Sequence, residues 1–288
     1  MRSGSILGLS PKAFHRICYT EWGDPGNTKV VICAHGLARS GRDFDYLARA
    51  LQEDFRVVCP DIVGRGRSDW LADKQDYGYP QYMADMNALI ARSTAGRENT
   101  SVYWVGTSMG GIIGMLLASR PQSPIARMVV NDVGTIIPRA ALERIGKYVG
   151  NTPRFPTLED LESHVRLVSA PFGPLTDEQW RHITVHAARQ LDDGSWTTAY
   201  DPAIGIPFQQ PQRDVDLWAY WDAVRCPTLL LRGTQSDLLL RDNALAMMER
   251  GPSARLVEFD GIGHAPMLMS DDQIAVVREF LLSSTASA

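Results

Sequence analysis

The chain has 288 residues, 29 basic against 33 acidic, a formal net charge of −4, and 44% hydrophobic with 22% charged residues. That length supports one large or two small domains around a sizeable core, and the composition excludes disordered and fibrous classes. The slightly acidic balance leaves no basic field for a polyanion, so nucleic acid is not an expected partner.

The opening MRSGSILGLS offers one basic residue and only Ile6-Leu7 before Gly8, well short of a secretory hydrophobic region. Ser5 to Ser10 and His15 to Trp22 read as an antiparallel pair at a sheet edge. Short apolar runs then recur: VVICA after Lys29, VVC after Arg56, VYWV after Ser101, MVV after Arg127, LLL after Thr228 and LVEF after Arg255. Continuous rather than alternating apolarity marks strands covered on both faces, hence a parallel sheet. Helix-like segments alternate with them at Arg42–Leu51, Pro80–Arg92, Met109–Ser119, Asp242–Arg250 and Asp271–Leu282, which predicts an α/β fold with right-handed crossovers.

Most strand spacings match the ~30 residues of a βαβ unit. The interval from Asn131 to Thr228 is far longer and holds helix-like pieces at Arg139–Val149, Leu158–Val168 and Asp177–Gln190, separated by Pro- and Gly-rich loops. A structureless loop of that length is improbable. The expectation is an inserted helical cap at 136–223, with residues 1–135 and 224–288 as the core. Ligands of such sheets bind beyond the carboxyl ends of the strands, where a cap would act as a lid. The longest apolar stretch, Met109–Ala118, is broken by glycines and is about half the length of a membrane span, so no membrane partner is expected. Cys18, Cys33, Cys59 and Cys226 lie in or beside apolar runs without C-x-x-C spacing. They read as small hydrophobes of a reduced, cytoplasmic protein.

VGTSMGG places Ser108 between Gly106 and Gly110, after a strand and before a helix. G-x-S-x-G in that context is a nucleophile elbow, its glycines sparing a collision where the chain turns sharply. A serine needs a base, and a third group to orient the base. Of six histidines, His264 in GIGHAP follows the last strand, at the edge where Ser108 is expected. The order Ser, acid, His leaves Asp237 in RGTQSD and Asp132 in NDVG as candidates. Asp237 is preferred, because its strand should neighbour the one that delivers His264. Two backbone donors would hold an oxyanion: the N–H of Met109, next after the serine, and that of Leu37 in the loop after VVICA. His35 reads as a structural hydrogen-bonding residue. The alternating Gly and Arg of PDIVGRGRSD suggest an anion site but lack a helix opening at G-x-G-x-x-G, so a structured loop is expected. His182 and His186 stand at i, i+4, but Ile183 replaces the Glu of H-E-x-x-H. Neither a metal nor a cofactor is expected. Phe155, Phe172, Trp180, Trp196, Tyr200 and Phe208 could line a pocket or form the cap's own core.

With these landmarks in order, HGLARS, PDIVGRGRSD, GTSMGG, NDVG, RGTQSD and GIGHAP, the chain from about Val30 to Leu282 resembles the α/β-hydrolase superfamily, in its esterase-like branch with a helical cap. The resemblance implies an eight-stranded, mostly parallel sheet. It also implies a Ser-Asp-His triad carried onto Ser108, Asp237 and His264, with Leu37 and Met109 as the oxyanion hole. Ser108 stands where epoxide hydrolases and haloalkane dehalogenases have Asp. Ala265 stands where carbon-carbon bond hydrolases of ring-fission products carry Trp. The expected activity is therefore cofactor-free hydrolysis of a small-molecule carboxylic ester. A lactonase, a carbon-carbon hydrolase or a small-ligand receptor are the alternatives, and the cap would decide which substrate enters.

Overall fold

The computed structural model describes residues 1–283; residues 284–288, most of the terminal SSTASA, lie outside the described residues. Its main sheet contains β1 (Arg2–Leu9), β2 (Phe14–Trp22), β3 (Lys29–Ala34), β4 (Arg56–Pro60), β5 (Ser101–Thr107), β6 (Ile125–Asn131), β7 (Thr228–Gly233) and β8 (Arg255–Phe259). Their spatial order is β1-β2-β4-β3-β5-β6-β7-β8. The amino-terminal hairpin is antiparallel and joins β4 antiparallel through β2; every other pairing is parallel.

The unbroken apolar runs exist because both faces of this sheet are covered. Val30, Ile32 and Ala34 of β3 enter one core, with Met86 and Leu89 of α2 (Tyr79–Thr94) and Ile112 and Ile113 of α3 (Met109–Ala118). Val31 and Cys33 point the other way, with Leu47 and Leu51 of α1 (Asp45–Leu51) and Val277 and Phe280 of α9 (Asp271–Leu282). The period of two is present but masked, since both faces demand apolar side chains. The four cysteines are unpaired, and the thiols of Cys33 and Cys59 are buried on adjacent strands. The hydrogen bond with the neighbouring Cys33 thiol, together with burial, pushes Cys59 up, away from the reactive thiolate. Among the described residues no helix is long and apolar enough to cross a membrane.

The segment between β6 and β7 folds over the carboxyl edge of the sheet. It contains α4 (Arg139–Gly146), α5 (Leu158–Val168), α6 (Asp177–Ala187) and the short α7 (Trp218–Trp221); α8 (Arg241–Glu249) follows β7 in the core. Local sequence sets the starts of α5 and α6. The Thr157 side chain accepts from the Asp160 N–H while Asp160 accepts from the Thr157 N–H, and Thr176 and Gln179 repeat the arrangement. The insertion is not purely helical as expected. Ile136–Ile137 pairs with Val215–Asp216, and Ala188–Gln190 with Trp196–Thr198, both antiparallel. Ladders of two or three residues leave no periodicity to detect.

Leu161, Val165, Trp180 and Ile183 form a small core with Met267 and Met269, and Phe155, Phe172 and Trp196 pack against it. Tyr200 and Phe208 join the main core instead. Each of the six aromatics therefore has a packing role. The two methionines belong to the loop after His264, so the insertion and that loop share one apolar cluster. Leu161→Ala is expected to destabilise the protein by about 2–5 kcal/mol, the range for deleting a buried leucine side chain. Urea denaturation measures this; a loss below about 1 kcal/mol would show that the cluster does not hold the insertion down.

Candidate active site

The turn after β5 is built on two steric exclusions. A Cβ on Gly106 would sit 2.2 Å from the Gly110 carbonyl oxygen, and one on Gly110 would sit 2.0 Å from that of Ala34. Only glycine permits strand, turn and helix to pack this closely. Between them Ser108 holds φ 53° and ψ −117°, a strained conformation for a residue with a side chain. The indole N–H of Trp104 donates to the Gly110 carbonyl at 2.9 Å and fastens α3 to β5.

Thr107 of β5 pairs with Asn131 of β6, so Ser108 and Asp132 are the first residues beyond two adjacent strand ends. Asp132 also turns away at positive φ, 56°. His264 comes from the loop after β8. That loop is tied to β6 by the Asn131 amide, which donates to the Pro266 carbonyl at 2.8 Å. The insertion holds it too, with the Gly263 N–H donating to the Pro171 carbonyl at 2.7 Å. In this arrangement His264 Nε2 lies 2.9 Å from Ser108 Oγ, and Nδ1 lies 2.7 Å from Asp132 Oδ2. With Nδ1–H donating to the carboxylate, Nε2 is free to accept the serine proton.

Asp132, not Asp237, faces the histidine. Its carboxylate is fully buried and also accepts from the Gly233 N–H at 2.9 Å and the Ser236 hydroxyl at 2.6 Å. The RGTQSD turn thus supports the Asp132 carboxylate and does not itself present one to His264. Ser236 points inward, while the Asp237 carboxylate is half exposed and bound by Arg144 of α4 at 2.6 and 3.0 Å. The preference for Asp237 rested on the adjacency of β7 and β8. The structure corrects it, because β6 lies between the serine strand and β7 and its end is nearer both partners. The positive-φ Asp132 left no distinctive mark in the sequence.

Leu37 and Met109 are the two candidate oxyanion donors. Met109 is the first residue of α3, where a helix N–H has no intrahelical acceptor. The Leu37 loop lies against Ser108, since a Cβ on Gly36 would be 3.7 Å from the Ser108 Cβ. Ser108 and His264 remain partly accessible, with 19% of the His264 side chain exposed, whereas Asp132 is sealed from solvent. Substrate and water can therefore reach the serine and imidazole but not the carboxylate. The insertion frames this opening by further bonds to the core, Gly66 N–H to Ala199 carbonyl at 2.9 Å and Tyr77 hydroxyl to Asp201 at 2.7 Å.

The i, i+4 histidines do acquire a third possible ligand. Potential ligand atoms of Asp45, His182 and His186 lie within 4.8 Å of one another. Both Asp45 oxygens are engaged by the Arg42 guanidinium, and His182 Nε2 donates to the Arg42 carbonyl at 3.0 Å. A cation entering there would meet an arginine already neutralising the one carboxylate.

His35 is fully buried and accepts the Ile62 N–H on Nε2 at 2.9 Å, while its Nδ1–H donates to the Gly36 carbonyl at 2.7 Å. Burial, aided by the nearby Arg65 charge, pushes it down to about 4. A histidine with a depressed folded value is destabilising when protons bind. The unfolded chain takes up the proton first, so stability falls as pH drops from about 6.5 through about 4. The full loss from this group is about 3 kcal/mol. Urea unfolding at a series of pH values should show that a His35→Gln variant, though weaker at pH 7, lacks this part of the slope. Equal slopes in both proteins would rule His35 out as its source.

The alpha/beta hydrolase family matches this chain over residues 31–279. A 3-hydroxybutyrate-oligomer hydrolase of Cupriavidus necator is 45% identical over 288 residues, covering 97% of each chain. A putative hydrolase from Rickettsia typhi has a similar structure, with TM-score 0.90, 32% identity and coverage of 99% of this chain and 100% of that one. An alpha/beta hydrolase from Novosphingobium aromaticivorans superimposes with TM-score 0.85 at 35% identity, covering 97% and 98% of the two chains. With these matches spanning nearly its whole length, and with the strand order and elbow described above, the chain belongs to the alpha/beta hydrolase family.

Proposed function

We propose that this protein is a serine hydrolase that cleaves the ester bonds of short 3-hydroxybutyrate oligomers through an acyl-enzyme. The observation that carries the mechanism is the continuous hydrogen-bonded row from Ser108 through His264 to the buried Asp132. The substrate class rests on the likeness to the Cupriavidus necator oligomer hydrolase, which extends over both chains almost entirely.

In this reading Ser108 Oγ attacks the ester carbonyl carbon as His264 Nε2 takes the hydroxyl proton. Asp132 holds the tautomer and stabilises the imidazolium that forms. The Leu37 and Met109 N–H groups receive the oxyanion. Collapse of the tetrahedral species breaks the ester C–O bond, and His264 returns the proton to the departing 3-hydroxyl of the next unit. Water then attacks the 3-hydroxyacyl-Ser108 ester, with His264 again as the base. The product acid leaves and Ser108 regains its proton. The insertion would be the lid that selects the chain entering this opening.

Release of 3-hydroxybutyrate from its linear trimer tests the proposal. Ser108→Ala should lower kcat at least about 10³-fold, and Asp132→Asn about 10²–10⁴-fold by destabilising the productive tautomer. Asp237→Asn, which removes a surface ion pair, should change kcat less than about threefold. Wild-type turnover by Ser108→Ala, or a greater loss in Asp237→Asn than in Asp132→Asn, would overturn the assignment. If the trimer has no higher kcat/KM than a plain butyrate ester, the substrate class falls while the triad stands.

A further inference from the structure

The loop after β4, Asp61 to Asp69, carries two arginines that part company. Arg67 points outward and its Nε donates to Asp61 at 3.1 Å. Arg65 points inward and is fully buried. Among the described residues no carboxylate lies within ion-pairing distance, 4.0 Å, of its guanidinium. A buried, unpaired cation is among the least favourable arrangements in a protein interior. Its neighbours are instead neutral acceptors and rings. Nη1 donates to the Val63 carbonyl at 2.7 Å and the Tyr82 hydroxyl at 3.1 Å, and the Tyr82 and Tyr77 rings lie 4.9 and 5.9 Å from the guanidinium carbon.

The two remaining contacts show what the charge is placed against. Nε donates to the Leu37 carbonyl at 2.8 Å, and Nη2 lies 3.6 Å from the Met109 sulfur. These are the two residues whose N–H groups are assigned to the oxyanion. At Leu37 the effect is specific. The peptide carrying its N–H is held from the Gly36 carbonyl by His35 Nδ1–H and by the Arg39 N–H. The next peptide is held from the Leu37 carbonyl by Arg65. With both flanking peptides fixed, the Leu37 N–H has one direction, and its alignment needs no reorganisation when charge develops. A net positive charge buried against the Leu37 peptide and the Met109 side chain also favours an anion nearby.

We infer that Arg65 is a positioning residue that braces the oxyanion hole from behind, a buried cation whose missing counter-charge is the transient oxyanion on the substrate. The inference rests on the proposed serine mechanism and extends it to a residue that touches neither substrate nor triad. It also gives the Gly-Arg-Gly-Arg stretch a role. Gly64 and Gly66 adopt φ 82° and 54°, and a Cβ on Gly66 would meet the Asp61 carboxyl carbon at 2.5 Å, so the glycines let the loop turn Arg65 inward. The anion served would be a reaction intermediate rather than a bound ligand.

Arg65→Lys keeps the charge but loses the Nε–H bond; Arg65→Gln keeps a donor but loses the charge. Each would be assayed in the full chain on the 3-hydroxybutyrate trimer, with rates counted per fluorophosphonate-reactive serine so that unfolded protein does not enter. Both should lower kcat about 10–100-fold, less than outright loss of an oxyanion donor, with KM within about threefold. The inhibition constant of a trifluoromethyl ketone, which adds Ser108 to form a tetrahedral oxyanion, should rise by the same factor as kcat falls. A merely structural arginine would lower the melting temperature without moving that constant per active site. If neither variant yields folded protein, Tyr82→Phe decides. It removes one charge-assisted anchor of the guanidinium and should lower kcat and weaken the ketone together, by about two- to fivefold, a fraction of the bond lost because the effect on the oxyanion is indirect. Unchanged kcat and ketone affinity, or a loss expressed only in KM, would overturn the inference. Ser108→Ala separates the two readings. If it is inactive while the Arg65 variants turn over normally, only the bracing role fails; if it remains active, the mechanism beneath it fails.

Discussion

The parallel register between β5 and β6 is the constraint on which the rest of the site depends. Because Thr107 lies opposite Asn131, Ser108 and Asp132 leave the sheet side by side, each at positive φ. One residue of slip would turn these side chains to opposite faces of the sheet and separate them. The register is secured from within. Both strands are buried on both faces, and the Ser108 N–H donates to the Asn131 carbonyl at 2.9 Å while the Asp132 N–H donates to that of Leu231 at 2.9 Å. The backbone bonds that continue the sheet past the paired residues therefore also set the spacing into which the imidazole fits.

The third member of the row arrives differently. His264 is carried by a loop held on one side by Asn131 and Pro171 and on the other by the apolar cluster of Met267 and Met269 with Leu161, Val165, Trp180 and Ile183. The segment between β6 and β7 is in this way part of what holds the His264 loop in place. Its fastenings reach the loops after β3, β4, β7 and β8: Ser40 to the His186 carbonyl, Gly66 to Ala199, Asp237 to Arg144 and Gly263 to Pro171. All of these loops are at the carboxyl edge, where an open α/β sheet offers its ligand crevice.

The site's buried polar groups follow one pattern, in which each is fixed before any reaction begins. Asp132 accepts from His264, Gly233 and Ser236, so both its oxygens are engaged in a sealed pocket. His35 is kept neutral by burial and is locked in one tautomer between Ile62 and Gly36. Arg65 completes the set behind Leu37. Such groups give directional fields without the reorganisation that water would require, the main way an enzyme site stabilises developing charge.

By itself the sequence determined what is local. The paired glycines around Ser108 need only the neighbouring strand and helix to become a steric requirement. The length of the interval between β6 and β7 spoke for structure within it, and α5 and α6 start there at Thr-x-x-Asp and Thr-x-x-Gln boxes. His264, Leu37 and Met109 were readable as candidates because each follows a recognisable strand or the serine itself. Only the tertiary structure shows which of the two aspartates faces His264. Asp132 and Asp237 both sit just past an apolar strand, and nothing in their flanking residues records which carboxylate points inward. That choice belongs to the order of β5, β6 and β7 across the sheet, to the twist that turns Ser236 in and Asp237 out toward Arg144, and to the Gly233 N–H waiting for an acceptor. The inward turn of Arg65 and outward turn of Arg67 were hidden for the same reason: side-chain direction in a glycine-rich loop depends on positive φ values and distant neighbours, which no stretch of sequence contains.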